Sequence, residues 1–264
     1  MFKLAFVLQG AVLLASVAST LQVAPAARSD LAPTGKLRAG INFGNNLLAA
    51  KDPATGNPKG IALDLANELG RRLNVPVEIV SYDGAGKLAD GAKTGAWDVA
   101  FLGAEPERAN EIAFSTPYLE IEATYLIPAG SPLRTIAEVD REGMRIAVSE
   151  KSAYDLYLTR NLKRAHLMRA PGADASVVLF TAEKMDALAG LKPALLEAAA
   201  KIPGSRVLEG RFTVVQQAVG TPKARGAGAK YLLEFVEDVK ASGFVGRAIE
   251  KNGIRGVAVA PKGS

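Results

Sequence analysis

Strand-like and helix-like segments alternate along the chain from Leu37 onward, and this alternation restricts the fold more than any other feature. Leu37–Asn42 reads as a strand, a turn rich in Pro, Gly and Asn follows, and residues 60–73 carry apolar residues at helical spacing. A strand at 76–82 and a short helix at 87–93 repeat the pattern. Such an order predicts an α/β protein with mainly parallel sheets.

The second part of the chain continues in the same way. We predict an extended segment at 120–128, further strands at 143–148, 167–170 and 212–219, and helices at 174–185, 231–240 and 244–251. Ser152 is a candidate N-cap, with Asp155 three residues further on.

One stretch combines a strand with a polar turn. The apolar run after Asp98 breaks at Gly103, and Pro106 suits the first position of a helix, so we predict a strand that leads into a helix N-terminus. Arg108 then lies in the first turn, where free N–H groups favour an anion and a guanidinium can grip a carboxylate with two hydrogen bonds. The alternative is a surface turn in which Arg108 pairs with Glu105 or Glu111.

This stretch resembles a motif of the family 3 bacterial extracellular solute-binding proteins, the polar amino-acid receptors of ABC importers. The resemblance rests on Asp98-Val99, Pro106-Glu107-Arg108 and Phe114-Ser115-Thr116-Pro117-Tyr118 at the family's spacing. Gly60 with Asp64-Leu65-Ala66, and Asp186-Ala187 with Pro193, match two further segments of the family. The likeness covers nearly the whole chain after its first 30 residues.

The resemblance implies a two-lobed periplasmic-binding-protein type II fold. Each lobe is a mainly parallel sheet flanked by helices, and two crossover strands form the hinge. We expect residues 31–120 and 216–264 in lobe 1, residues 121–215 in lobe 2, and hinges near 119–123 and 212–216. The implied function is a periplasmic binding protein that closes on a small polar solute with an anionic group and delivers it to the membrane permease of an ABC importer. We expect a monomer that needs no cofactor or metal.

The resemblance also implies the ligand contacts, with Arg108 holding a carboxylate. Asn42 and Asn45 lie in a loop at the carboxyl end of a strand, where open α/β sheets carry ligands. We expect contacts from Asn42, Asn45, Phe101, Gly103, Glu105, Arg108, Ser149, Ser152, Leu191 and Lys192.

Departures from the family pattern predict an unusual ligand. Leu191 stands where amino-acid receptors place the aspartate that binds the α-ammonium group, and Asn45 and Ala85 stand near positions where aromatic residues sandwich the ligand. Glu105 either weakens anion binding by Arg108 or accepts a positive group, and Lys192 can add a second positive contact. We therefore expect an organic acid or a bulkier polar solute, such as an amino-acid conjugate, rather than a standard α-amino acid.

Composition excludes several other functions. The 32 Lys and Arg residues outnumber 27 Asp and Glu, but they are scattered without an aromatic-basic RNA motif, so we expect no nucleic acid partner. The chain has no cysteine and one histidine, His166, and no Gly-x-Ser-x-Gly elbow accompanies that histidine. The glycine-rich segments 84–87 and 226–230 lack the spacing of a phosphate-binding loop.

The first residues predict export. Lys3 precedes an apolar run to Ala18, and small residues follow to Ala27, which is the order of a secretory signal peptide spanning residues 1–27. Cleavage after Ala18 and cleavage after Ala26 both fit. The run is shorter than the roughly 20 apolar residues of a membrane span.

An enzyme on the same scaffold is the competing hypothesis, because a few relatives of the family, the cyclohexadienyl dehydratases, eliminate water and carbon dioxide from a bound carboxylate. Such a reaction needs a proton donor in the cleft. Glu105 and Glu150 are the candidates, and nothing in the sequence distinguishes between them. We expect a binding protein with no catalytic residues.

Overall fold

The computed structural model describes residues 23–52 and 54–263. Most of the predicted signal peptide, residues 1–22, lies outside the described residues, as do positions 53 and 264.

The first half of the described chain begins with a short helix and alternates strands with helices. In order, the elements are α1 Pro25–Leu31, β1 Leu37–Asn42, β2 Ala50–Lys51, β3 Pro58–Lys59, α2 Ile61–Leu73, β4 Val77–Tyr82, α3 Ala85–Thr94, β5 Val99–Gly103 and β6 Ile112–Ile127. Short 3₁₀ turns occupy Arg108–Asn110 and Ile136–Val139.

The second half repeats the alternation and ends with two consecutive helices and a short strand. The elements are β7 Arg145–Ser149, α4 Ala153–Asn161, β8 His166–Ala170, α5 Ala173–Ala182, β9 Ala187–Leu191, α6 Lys192–Lys201, β10 Arg206–Val207, β11 Thr213–Pro222, α7 Gly226–Ala241, α8 Phe244–Lys251 and β12 Val257–Val259.

The main sheet runs in the order β4-β1-β5-β11-β6-β9-β7-β8, and β10 and β12 also pair with β6. Strands β4, β1 and β5 form one parallel group, and β9, β7 and β8 form another. Each group adjoins an antiparallel neighbour, β11 for the first and β6 for the second. The prediction of an α/β protein with mainly parallel strands in each part is confirmed.

Strands β6 and β11 run side by side between the two parallel groups. Their register joins Thr213 to Ala123 and Gln217 to Leu119, so the two segments predicted as hinges are paired with one another. The same two strands therefore connect the first group to the second.

Helix α1 packs into the core of the first group. Ala27 and Leu31 are buried, and α1 lies against α7, where a Cβ at Gly228 would stand 2.8 Å from Leu31 Cδ2. Residues 25–27, the end of the predicted signal peptide, thus belong to a folded helix.

Most predicted elements are confirmed with ends that shift by a few residues, whereas α1 and α6 follow no prediction. The predicted helix after Pro106 is wrong. Only Arg108–Asn110 forms a 3₁₀ turn. The helix cannot extend further because a 16-residue strand, Ile112–Ile127, begins two residues after this turn ends. Across residues 23–52 and 54–263, no helix has both the length and the apolarity needed to cross a bilayer.

Candidate functional site

A cavity of about 880 Å³ lies where the carboxyl ends of the two parallel groups meet. The residues at or just after the ends of all six parallel strands line it: Asn42, Asp83, Gly103, Ser149, Gly172 and Leu191. Parallel strands deliver loops and helix N-termini to this edge of a sheet, which is where open α/β sheets bind ligands. The volume is in the range of small-molecule sites.

Arg108 is the one arginine among the lining residues that is buried, being 6% exposed. Its Nη1 donates to the Gly103 carbonyl oxygen at 2.6 Å and its Nη2 to the Lys151 carbonyl oxygen at 2.8 Å. Within the described chain it forms no ion pair with a carboxylate. Burial lowers the pKa of Arg108 to about 10, although Glu105 and Glu107 oppose the shift, so the guanidinium stays positive at neutral pH. A buried positive charge held only by carbonyl dipoles favours an anion.

Glu105 was predicted to contact the ligand, but it lies outside the cavity lining. It is not among the lining residues, because Arg160 on α4 donates to its carboxylate at 2.7 Å and to that of Glu107 at 2.5 Å. Burial raises the pKa of Glu105, and the hydrogen bond from Arg160 opposes this. Neither predicted carboxylate partner of Arg108 pairs with it, so the surface-turn alternative is also wrong.

The loop from β7 to α4 supplies the opposite wall. Ser149 and Ser152 are buried lining residues, and Ser152 caps α4 by accepting from the Asp155 backbone N–H at 3.1 Å, as predicted. The Asp155 carboxylate accepts from the backbone N–H of Lys151 at 2.8 Å. Lys151 has a φ of +52°, a conformation uncommon for a residue with a side chain, and its carbonyl accepts from Arg108.

Tyr154 also lines this wall and is buried. Burial raises the pKa of Tyr154, and hydrogen bonds with Ser152 and Ser149 offset only part of the shift. The phenol is therefore neutral at physiological pH and can donate or accept a hydrogen bond.

The predicted contacts from the first group also reach the cavity. Asn42, Asn45, Phe101 and Gly103 are lining residues. The Asn42 side-chain oxygen accepts from the Gly44 backbone N–H at 3.0 Å and shapes the loop, and the Phe101 ring stands edge-on to Tyr118. Asn45 and Ala85 leave their side of the cavity without an aromatic ring, so less apolar surface is available to sandwich a ligand.

Leu191 and Lys192 line the cavity at the junction of β9 and α6. Lys192 Nζ lies 2.7 Å from the Glu122 carboxylate, which also accepts from Arg211 at 2.8 Å. Glu122 lines the cavity, but two cations already neutralise it. Leu191 thus occupies the position where amino-acid receptors of the family place the ammonium-binding aspartate, and the nearby Glu122 is already neutralised by Lys192 and Arg211.

Sequence reasoning missed Tyr154, Glu122 and Gln217, all of which line the cavity. Gln217 lies on β11 and is only 5% exposed. The sequence did not single it out, because a strand segment with two consecutive glutamines does not indicate which of the two faces inward. Residues 23–52 and 54–263 contain no cluster of three or more potential metal ligands.

The two sides of the cavity are in direct contact. Besides the bond from Arg108 to Lys151, Lys151 Nζ lies 3.2 Å from Asp90 on α3, and Arg160 on α4 holds Glu105 and Glu107. A Cβ at Gly103 would lie 2.9 Å from the Ala153 Cβ, and one at Gly86 would lie 2.7 Å from the Lys151 Cβ. Only glycine at these positions lets the two walls approach so closely.

The family model for bacterial extracellular solute-binding proteins, family 3, matches residues 38–253 of this chain. Among solved structures, a solute receptor for L-cysteine of Neisseria gonorrhoeae is similar with a TM-score of 0.75 and 20% identity, over 87% of this chain and 95% of that one. A mutant of ArgBP from T. maritima is similar with a TM-score of 0.73 and 21% identity, over 85% of this chain and 98% of that one.

An ancestral amino acid-binding protein described as a precursor of cyclohexadienyl dehydratase is similar with a TM-score of 0.71 and 19% identity, over 85% of this chain and 97% of that one. At these identities the likeness shows the fold, and it confirms the two-lobed periplasmic-binding-protein architecture. In this chain β6 and β11 are the strands that lie between the two parallel groups.

Proposed function

The chain belongs to family 3 of the bacterial extracellular solute-binding proteins, and from this premise we propose that it is a periplasmic receptor that binds a small organic anion for the membrane permease of an ABC importer. The observation that carries the proposal is the buried charge of Arg108, which meets only the carbonyl oxygens of Gly103 and Lys151. A ligand carboxylate completes this site by supplying the missing negative charge.

The chemistry around Arg108 supports an organic acid, or a bulkier polar solute such as an amino-acid conjugate, over a standard α-amino acid. The lining residue at the ammonium position is Leu191, and Glu122 is already neutralised by Lys192 and Arg211. An α-ammonium group at the Leu191 position would lose hydration without a carboxylate at that position to pair with. The cavity volume of about 880 Å³ leaves space for more than a small amino acid.

The proposed mechanism is a population shift between open and closed forms. We assign residues 31–120 and 216–264 to lobe 1 and residues 121–215 to lobe 2, with the hinge in the paired segments of β6 and β11. Arg108 comes from lobe 1 and Ser149 and Ser152 come from lobe 2, so a ligand contacts all three only when the lobes are closed. Small-angle scattering would show a smaller radius of gyration at saturating ligand, and an unchanged radius would contradict closure.

Export to the periplasm and a monomeric receptor complete the proposal. Because Ala27 and Leu31 are buried against the first lobe, cleavage after Ala26 would cut helix α1 within its first turn. We therefore favour the earlier site, after Ala18. Mass spectrometry of the secreted chain identifies its first residue.

The enzyme alternative receives less support from the site. Glu150 is exposed, and neither Glu150 nor Glu105 lines the cavity. Neither carboxyl that was a candidate for the proton donor therefore reaches the cavity, and Glu105 is held by Arg160. Turnover of prephenate or arogenate by the purified chain would reverse this assignment.

Calorimetric titration of the purified chain tests the proposed function. The panel contains the twenty common amino acids, matched carboxylic acids without the ammonium group, and N-acylated amino acids. We expect the tightest binding among the last two sets, because these compounds offer a carboxylate without an ammonium group. Submicromolar affinity for any common amino acid would contradict the ligand class, and no binding across all three sets would contradict the anion receptor itself.

A further inference from the structure

Gln217 lies in the wall of the cavity next to the arginine subsite. It is paired in register with Gly103 across β11 and β5, and Val215, two residues away on the same face, also lines the cavity. Gly103 is the residue whose carbonyl accepts from Arg108. A Cβ at Gly103 would stand 3.1 Å from Val215 Cγ1 and 3.6 Å from Arg108 Nη1, so this face of the sheet is the face that carries the guanidinium.

The side-chain amide of Gln217 has no hydrogen-bond partner within the described chain, although the residue is 95% buried. Two other buried polar side chains of β6 and β11 do have partners: Ser115 donates to the Thr116 carbonyl at 2.6 Å, and Thr221 donates to the Asp98 carbonyl at 2.9 Å. The neighbouring Gln216 is exposed and donates to Glu120 at 3.3 Å. The Gln217 amide is not one of the fully buried unpartnered groups of the described chain, which are the hydroxyls of Tyr118 and Tyr231, so it is open to the cavity and available to a bound molecule.

The electrostatics of this corner limit which group can occupy it. Arg108 provides the positive charge, Ser149, Ser152 and Tyr154 provide neutral hydroxyls, and Gln217 provides a neutral amide that can donate and accept. Of the acids that line the cavity, Glu122 on β6 is neutralised by Lys192 and Arg211, and Asp83, Asp174 and Glu197 are exposed. The corner is therefore built for one negative charge beside uncharged hydrogen-bonding atoms.

Resting on the proposed function, we infer that Gln217 selects the substituent next to the ligand's carboxylate, and that this substituent is an uncharged oxygen. The substrate class is then 2-hydroxy carboxylates, whose hydroxyl can donate to the amide oxygen of Gln217 or accept from its NH₂ group. An α-ammonium group at the same place would face a neutral amide and a nearby guanidinium, without a carboxylate to compensate it.

The experiment compares three acids on one carbon skeleton, namely 3-phenyllactate, phenylalanine and 3-phenylpropionate, with lactate, alanine and propionate as a smaller set. Affinities are measured by calorimetry on the full chain and on four variants. Gln217→Leu removes the amide, and Gln217→Glu supplies a carboxylate. Gln216→Leu and Gln216→Glu make the same changes on the outer face of the same strand and serve as matched controls.

We expect the wild type to bind a hydroxy acid at least about tenfold more tightly than its amino acid, because the ammonium group, although it can donate to the amide oxygen, would bring a positive charge beside Arg108. Gln217→Leu is expected to lower the affinity for the hydroxy acid about tenfold and to leave the affinity for the unsubstituted acid nearly unchanged. Gln217→Glu is expected to reverse the order of hydroxy acid and amino acid. Both Gln216 variants are expected to retain the wild-type order, and thermal unfolding of each variant verifies that it is folded.

The possible failures are distinguishable. If the wild type binds none of the carboxylates, the proposed function fails and the inference fails with it. If the wild type binds carboxylates but Gln217→Glu keeps the wild-type order, only the role of Gln217 is overturned. Equal losses for all three acids in Gln217→Leu would also overturn it, since they would show a purely structural contribution.

Discussion

Charged side chains at the two ends of strand β5 are balanced in opposite ways. Before its first residue, the fully buried Asp98 accepts from Arg38 and from Arg225, each at 2.7 Å. After its last residue, Arg108 is buried without a carboxylate and donates only to carbonyl oxygens. The hydrogen bond from Arg38 to Asp98 raises the pKa of Arg38, whereas burial lowers that of Arg108 to about 10.

The difference separates a structural charge cluster from a binding site. Asp98 and Arg108 both match residues of the family motif, so the motif alone does not tell their roles apart. The charges around Asp98 and Arg108 distinguish their roles. The Asp98 cluster joins the strands β1 and β5 to the start of α7 and already contains its anion, while Arg108 forms no ion pair with a carboxylate of the described chain, as the proposed ligand site requires.

Asp98→Asn should give the largest loss of stability. It leaves Arg38 and Arg225 without their shared carboxylate, and we expect the free energy of unfolding to fall by about 3 kcal/mol, as for other broken buried pairs. Urea unfolding measures this value. Glu78→Gln, which removes a surface partner of Lys36, is the control and should cost less than about 0.5 kcal/mol. Equal losses for the two variants would contradict a structural role for Asp98.

Arg108→Met should cause a large loss of ligand affinity and only a small change in stability, the reverse of Asp98→Asn. Ligand affinity is expected to fall by at least about 100-fold, because the charge-assisted hydrogen bonds to the carboxylate disappear. The free energy of unfolding should change by less than about 1 kcal/mol, since relief of a buried charge offsets two lost hydrogen bonds. Arg247, which is exposed and also bonds only a carbonyl oxygen, supplies the control variant Arg247→Met. Wild-type affinity in Arg108→Met would refute the site.

Arg160→Met tests what keeps Arg108 free of an internal carboxylate. Without Arg160, Glu105 can turn toward Arg108 and compete with the ligand, so we expect anion affinity to fall roughly fivefold. The double variant Arg160→Met/Glu105→Gln should recover most of the loss. A double variant as weak as the single one would mean that Arg160 acts in another way, for example through contact between the lobes. Calorimetry with the best carboxylate of the panel measures all three.

The smallest effect is a pH dependence at Glu105. Burial raises its pKa above the ordinary value of about 4.5, so folding favours the protonated form. Its contribution to stability is therefore fully present below pH 4.5 and is lost as the pH rises through the raised pKa. Subtracting the free energy of unfolding of Glu105→Gln from that of the wild type should give a value that increases as the pH falls through this window.

The sequence predicted most elements because their signals are local. Residues 61–73 form α2 as their apolar stripe indicated, Leu37–Asn42 forms β1, and Ser152 caps α4. The helix expected after Pro106 failed because a proline and an arginine indicate how a turn begins, but the length of the turn depends on how soon the chain enters the next strand. That strand is held by pairing with β11, about 100 residues further along the chain.

The lining of the cavity was predictable where it comes from strand ends and loops, while its contacts with a ligand stay a prediction. Nine of the ten predicted residues line the cavity, and Glu105 alone does not, because Arg160, 55 residues away, holds it. Gln217 is a lining residue that the sequence could not identify. The strand pattern places Gln216 and Gln217 on opposite faces, but which face closes a cavity depends on neighbours that meet only in the folded protein.

The position of β11 also determines the order in which the chain can fold. Strands β7, β8 and β9 come from the continuous stretch 145–191, so their group forms through contacts close in sequence. Strand β5 pairs with β1 early in the chain but acquires its second neighbour, β11, only when residues 217–220 arrive, and such distant pairing is slow. The wall that carries Arg108 is thus the last to be completed. If the chain is exported as proposed, it can cross the membrane as an extended polymer before its ligand-binding half acquires a stable fold.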